Sequence, residues 1–465
     1  MVPIIALIGC TIFVLLLLRL EHKASKENSF VLWIPVVWML IIASRPLNTW
    51  FLVHGDFSPN NEAGSDIDRY TLTVLGLVAG IVLLQRRADW TSKLRQHKWL
   101  LLLFGYMFVS TFWSDITLIA LKRWVREIIF LVMALVILTD GNPLRALGSV
   151  LRRTAYLLIP FSILLIRFYP AWGRQYGRFN GVEIWTGVTG QKNHLGRLCM
   201  IAIFFLLWSL YRYWRTDSRL RADSRQAWAD ICIIAMGLYL LKGSDSSTSL
   251  ATLFVGIAIF LGLLSFRALK LGVPHIALLI PTISFIILGT ITPFLGGSTV
   301  AAFTPALGRD STLTGRTEVW AEVLPARSQR PLLGYGIGSF WTDARRLQYE
   351  IPTAHNGYLD VLLELGDVGF GLYVVWLLSC TRKLYLSLQR DYELTSLAFC
   401  LVLMGLLYNI SESALNTFTE EMTAVMALAT MVASCAERPE QSSTGEATQV
   451  QFRAGWRVRT PRPSA

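Results

Sequence analysis

Read for hydrophobicity, the chain is a succession of apolar runs separated by short polar breaks. The runs lie near 3–19, 29–44, 70–84, 99–113, 116–139, 154–168, 194–213, 226–241, 249–266, 273–290, 367–381, 394–411 and 421–436. One helix needs about 20 mostly apolar residues to cross a bilayer, and fewer where flanking groups reach the interface. The pattern predicts an all-α fold: a polytopic membrane helical bundle of 12–13 transmembrane helices. One interval, 291–366, is long and polar, and reads as a partly helical periplasmic loop. The first run has no basic n-region and no clear small-residue cleavage site, so it reads as a span. Without it, twelve spans remain and every other assignment is unchanged.

Sidedness follows from Lys and Arg in the short loops. Arg86, Arg87, Lys93, Arg95 and Lys98 follow the third run. Arg145, Arg152 and Arg153 follow the fifth, Arg215, Arg219, Arg221 and Arg225 the seventh, and Arg382, Lys383 and Arg390 the eleventh. These loops alternate consistently and are expected to be cytoplasmic. The acidic loop 45–69 and the interval 291–366 are then outside. Residues 1–436 form one integral membrane domain, and 437–465 a disordered, basic cytoplasmic tail.

Composition agrees. Only 16% of residues are charged, against about a quarter in soluble domains. The net charge of +12 comes from inner loops, so it is no nucleic-acid footprint. The cysteines fall in or beside apolar runs, where neither a disulfide nor a metal site is expected.

Basic residues also occur where they should be scarce. The outer loop 169–193 holds Arg174, Arg178 and Lys192, with Asn193 next to it. The fifth run carries Lys122, Arg123, Arg126 and Glu127. Arg123 and Glu127, four apart, could pair on one helix face. Either the helix starts late, near Trp124, and leaves these charges at the interface, or they line a cationic cavity built for an anion. In the long interval, Thr314 could cap a helix over 315–326 with Val319, Trp320, Val323 and Leu324 buried. Arg316 would then sit in the first turn, where the helix dipole disfavours a cation but a bound anion gains from both. Phe340, Ala344, Leu347 and Ile351 recur at helical spacing, which fits a helix along the membrane surface or ordinary packing within the loop. His355 precedes Asn356, which can cap a helix over 357–365. A histidine there could accept a proton from a hydroxyl. Gly366 and Gly369 permit a bend. Asp66 and Asp68 form a D-x-D pair, more in keeping with solvation and sidedness than with a metal.

These residues fall in motifs. They are Ser110-x-x-Trp113-Ser114, Arg178-x-x-Gly181 leading to Gln191-Lys192-Asn193-His194-Leu195-Gly196, Thr314-Gly315-Arg316-x-x-x-Trp320, Pro331-Leu332-Leu333-Gly334-Tyr335-Gly336, and His355-Asn356-x9-Gly366-x-x-Gly369. In this order they resemble the O-antigen ligase and polymerase superfamily, closest to its Gram-negative exopolysaccharide polymerases. The resemblance spans roughly 30–436. It implies glycosyl transfer at the outer face of the bacterial inner membrane, from undecaprenyl-diphosphate-linked oligosaccharide to an acceptor hydroxyl, without metal or other cofactor. It implies that Arg178 and Arg316 hold the diphosphate and that His355 acts on the acceptor. Lys192, Asn193, Arg123, Arg174 and Asn356 are the further candidates for contacts to diphosphate or glycan. Membrane lipid and chain-length or export proteins are the implied partners. The chain departs from the family at Ser244-Asp245-Ser246-Ser247-Thr248, where relatives carry a basic residue.

Three functions compete. A polymerase joins lipid-linked repeat units. A ligase moves the same donor to lipid A–core. A transporter or flippase would move the lipid-linked sugar without chemistry, but such folds usually show inverted repeats and midplane sites, and here the polar residues cluster in outer loops.

Overall fold

The computed structural model describes residues 1–24, 29–51, 65–86, 89–176, 181, 183–215, 224–295 and 316–435. Among them, each of the thirteen expected spans falls on a helix: Val2–Ala24, Trp33–Ile42, Asp66–Gln85, Lys98–Ser110, Thr117–Leu138, Pro143–Phe168, Lys192–Arg215, Ser224–Gly243, Ser247–Ala268, His275–Ile291, Gly357–Ser387, Tyr392–Tyr408 and Glu421–Cys435. Among the described residues, seven helices are long and apolar enough to cross a membrane by length and composition alone. The protein is an all-α, multi-pass membrane bundle. Its one described sheet is a hairpin pairing Arg174–Tyr176 with Glu183–Trp185.

Burial divides the bundle into layers. Tyr392–Tyr408 and Glu421–Cys435 are buried along almost their whole length. Val2–Ala24 and Asp66–Gln85 keep most of their apolar side chains exposed, as helices facing lipid must. The first helix is nonetheless built in: Glu21 pairs with Arg153 at 2.7 Å, and both are buried.

The connections sort to two ends. The segments 110–117, 186–193, 331–357 and 409–420 touch one another. At the other end Arg86 meets Asp140, and Lys383 meets Gln96 and His97. This is the alternation expected from the basic loops.

The long interval has a core of its own. Trp320, Val323, Tyr335, Phe340, Trp341 and Ala354 pack on Leu359 and Leu363. The first helix of this region is Arg316–Gln329. Its expected cap, Thr314, lies outside the described residues. Trp320 and Val323 are buried as expected, while Val319 and Leu324 are only partly so. The helical spacing from Phe340 to Ile351 yields only the short helix Asp343–Gln348. Phe340 instead joins an aromatic cluster with Tyr335, Trp341 and Tyr349, and Leu347 is exposed. The interval packs on itself here.

Gly366 breaks the helix Gly357–Ser387 with a φ of 65°. A break exposes main-chain donors and acceptors that an apolar surrounding cannot satisfy. The stretch 331–336 satisfies them. Tyr335 N and Gly336 N donate to the carbonyls of Leu363 (3.0 Å) and Glu364 (2.7 Å), while Asp367 N and Val368 N donate to those of Pro331 (2.9 Å) and Leu332 (3.1 Å). A Cβ at Gly366 would lie 2.3 Å from the Leu332 oxygen.

Candidate functional site

Glu412, in the connection between the last two helices, is the centre of the polar end. Its Oε1 accepts from Arg316 Nη2 at 2.5 Å and from Asn193 Nδ2 at 2.7 Å. Its Oε2 faces His355 Nδ1 at 3.7 Å. Three groups far apart in sequence thus converge on one carboxylate that is 6% exposed. Burial pushes the Glu412 carboxyl up, but the neighbouring His355 ring and the Arg316 charge outweigh it and hold the group below its ordinary value.

The main chain fixes this geometry. Asn356 caps its helix by accepting from Leu359 N at 2.8 Å. Its amide donates to the carbonyls of Gly289 and Ile410, each at 3.0 Å. Gly357 N reaches the carbonyls of Asn409 and Glu412, each at 2.9 Å. His355 is held in the left-handed region at φ 50°, a conformation uncommon for a non-glycine residue. Asn356 itself is fully buried, and these protein contacts make it part of the frame that sets His355.

Around this centre lies a second layer. Arg197 pairs with Glu420 at 2.5 Å and approaches Glu421 at 4.0 Å. His194 lies within electrostatic reach of Arg197, Glu420, Glu412 and His355. Burial raises the Glu420 carboxyl, but Arg197, His194 and Arg126 outweigh it and hold the group low. Lys192 Nζ stands 3.7 Å from Asp245 Oδ2. Asp245 lies in the stretch 244–248 where the expected cation is absent, and its carboxylate faces Lys192 instead.

Other expected residues sit differently. Arg174 is bound into the hairpin, donating to Glu183 at 2.8 Å and to the Ile166 carbonyl at 2.7 Å. Arg178 lies outside the described residues. The helix Thr117–Leu138 begins before its charges, so the late start near Trp124 is not found. Glu127 is buried and turns to the connection 409–420, accepting from Phe418 N at 2.6 Å and from Thr417. Arg123 lies against Gly338, where a Cβ would meet its Cδ at 2.6 Å. Beside it Glu364 accepts from Gly338 N at 3.0 Å and from Asn416 at 3.3 Å. Asp66 and Asp68 serve their helix start: Asp66 pairs with Arg69, and Asp68 accepts from Leu47 N.

Motif reading missed Glu412, Glu364 and Glu420. The available signal was acids placed at the polar end: two within the connection 409–420, and Glu364 one helical turn beyond Asp360.

Comparison with known proteins follows the same line. Residues 231–374 match the O-Antigen ligase family, a stretch that includes Arg316 and His355. The chain is 24% identical over 299 residues to the exopolysaccharide production protein ExoQ of Rhizobium meliloti (strain 1021). That alignment covers 61% of this chain and 65% of the relative, so the chain spans less than two thirds of its length.

Proposed function

From a multi-pass membrane bundle that carries a domain of the O-antigen ligase and polymerase superfamily, we propose an exopolysaccharide polymerase. It moves a glycan from a lipid diphosphate to the hydroxyl of another lipid-linked repeat unit, at the periplasmic face of the inner membrane. The observation that carries this reading is the convergence of Arg316, Asn193 and His355 on Glu412.

The chemistry follows from the groups. The acceptor oxygen attacks the anomeric carbon, the bond from that carbon to the diphosphate oxygen breaks, and the lipid diphosphate leaves with the electron pair. His355 presents Nδ1 to Glu412, which leaves Nε2 to take the proton of the attacking hydroxyl. Glu412 orients the ring and stabilises the imidazolium that forms. Charge developing on the leaving diphosphate needs preorganised cations in a site of low dielectric. Arg316 and Lys192 supply them, with Asn193 as a neutral donor. Arg316 now rests on Glu412, so an incoming diphosphate shares its guanidinium with that carboxylate.

The test is the product that purified protein forms in detergent from one defined lipid-linked oligosaccharide. Chain lengthening is expected, and it excludes pure transport because there is no membrane to cross. Arg316→Ala and His355→Ala are expected to stay in the membrane and make no long polymer. Normal polymer from either variant overturns the site. The family description favours a second reading, a ligase with a lipid A–core acceptor. Offering both acceptors with one donor separates the two.

A further inference from the structure

The helix Thr117–Leu138 changes character along its length. From Ile129 onward it is buried almost throughout. Before that, Leu118, Leu121 and Val125 are exposed apolar side chains, and Lys122 and Arg126 are exposed among them. Lys122 and Arg126 lie roughly 8 and 14 Å along the helix from its start, at 1.5 Å per residue. A cation at that depth on an apolar surface is unfavourable unless an anion or the headgroup layer meets it. Being four apart, the two share one helix face and can grip one anion together.

The same helix turns Arg123 inward, against Gly338 and near Glu364. It therefore bears one cation toward the protein interior and two toward the surroundings. The outward pair is not remote from the site. Arg126 is within electrostatic reach of Glu420, which is bonded to Arg197, and Arg197 lies on the helix that begins with Lys192 and Asn193.

Joining two lipid-linked units requires two anionic headgroups to be held at once. The centre at Arg316 provides for one. We infer that Lys122 and Arg126 hold the diphosphate of the acceptor glycolipid, entering from the bilayer, while the Arg316 centre holds that of the donor. This rests on the polymerase reading, and it assigns the second lipid phosphate to a face outside the Glu412 cluster. Lys122 and Arg126 are positioning residues: they place the acceptor and do not touch the reacting atoms.

The experiment uses the full chain in discs of neutral lipid and two tailored glycolipids. The donor lacks the accepting hydroxyl. The acceptor carries a methylene in place of the anomeric oxygen, so it cannot act as donor. The paired variant Lys122→Gln with Arg126→Gln should raise the KM for this acceptor by about tenfold or more, the loss of charge-assisted contacts to one anion. The KM for donor and the kcat should not change. An acceptor stripped of its lipid diphosphate should react equally with both proteins, and Lys122→Arg with Arg126→Lys should restore the acceptor KM. An equal rise in the donor KM, a loss that persists with the stripped acceptor, or an unchanged acceptor KM would overturn the assignment.

A binding measurement stands apart from turnover. Native mass spectrometry with polyprenyl diphosphate should count two bound per unmodified chain and one per variant. Equal counts, or displacement of the second by phosphatidylglycerol, would refute it. If the unmodified protein binds two but transfers nothing, the polymerase reading fails and the phosphate face stands.

Discussion

The two ends of the bundle use the same residue types differently. At the end holding the basic loops, acids meet guanidinium and hydroxyl groups, and Glu393 and Asp230 are each shared. Arg86 meets Asp140 at 3.2 Å, Arg152 meets Asp230 at 3.1 Å, and Arg153 meets Glu21 at 2.7 Å. Neighbours complete each pair: Arg86 donates also to Thr139, Tyr156 donates to Asp230, and Trp33 lies under Arg153. At the other end Glu412 is shared by a guanidinium, an amide and an imidazole. The first arrangement ties helix to helix. The second gathers groups able to move a proton and to hold charge. A buried ion pair, or an acid shared by several groups, is thus weak evidence of function; what marks the second end is an imidazole beside its shared carboxylate, where Asp230 and Glu393 meet only guanidinium and hydroxyl groups.

The comparison can be broken most directly by rate. His355→Ala should slow chain lengthening on the order of 10³-fold, as loss of a general base does. Replacing both Arg153 and Glu21 by Met should leave the rate per folded protein unchanged. A comparable loss from that pair would erase the distinction between the ends.

Glu412→Gln keeps the side chain's size and removes its charge. It should slow lengthening by about 10²-fold, because His355 loses the carboxylate that orients it. A rate equal to the unmodified protein would remove Glu412 from the mechanism.

Stability sharpens the contrast at the other end. Arg153→Met alone strands a buried carboxylate and should cost about 3–5 kcal/mol, while the double Met replacement should be near neutral. Thermal unfolding in detergent measures both. Gly366→Ala should cost about 1–3 kcal/mol by the same measurement, from the strained φ and the contact with Leu332.

The smallest effect is that of pH. The carboxyls of Glu412 and Glu420 are held low in the fold. Their contribution is therefore fully present above the unfolded value of about 4.3 and is lost as pH falls through the folded values. Glu412→Gln should flatten that acid limb. An unchanged limb would mean that other groups govern it.

Much of this architecture was legible in the residues. Apolar runs give spans because the bilayer demands length and composition. Arg316, His355 and Asn193 were legible because motifs isolate them. Glu412 was not, since a lone acid in a short connection looks like any solvated residue until its partners are known. Arg123 and Glu127 show the limit of local spacing. Four residues apart, they invite a pair, yet Glu127 bonds across to 417–418. The stretch Phe340–Ile351 shows another limit: helical periodicity lost to an aromatic cluster that only the fold assembles.

The seam between 331–336 and the helix break at Gly366 is stitched with main-chain atoms. Such a joint is largely indifferent to which side chains flank it. Substitutions at the exposed Leu332 and Leu333 can accumulate provided that Gly334, Gly336 and Gly366 stay bare, since all three have positive φ and no room for a Cβ, and that Tyr335 and Leu363 keep their place in the core. The bend can therefore outlast drift at those exposed positions, which leaves that rim of the loop free to be reshaped.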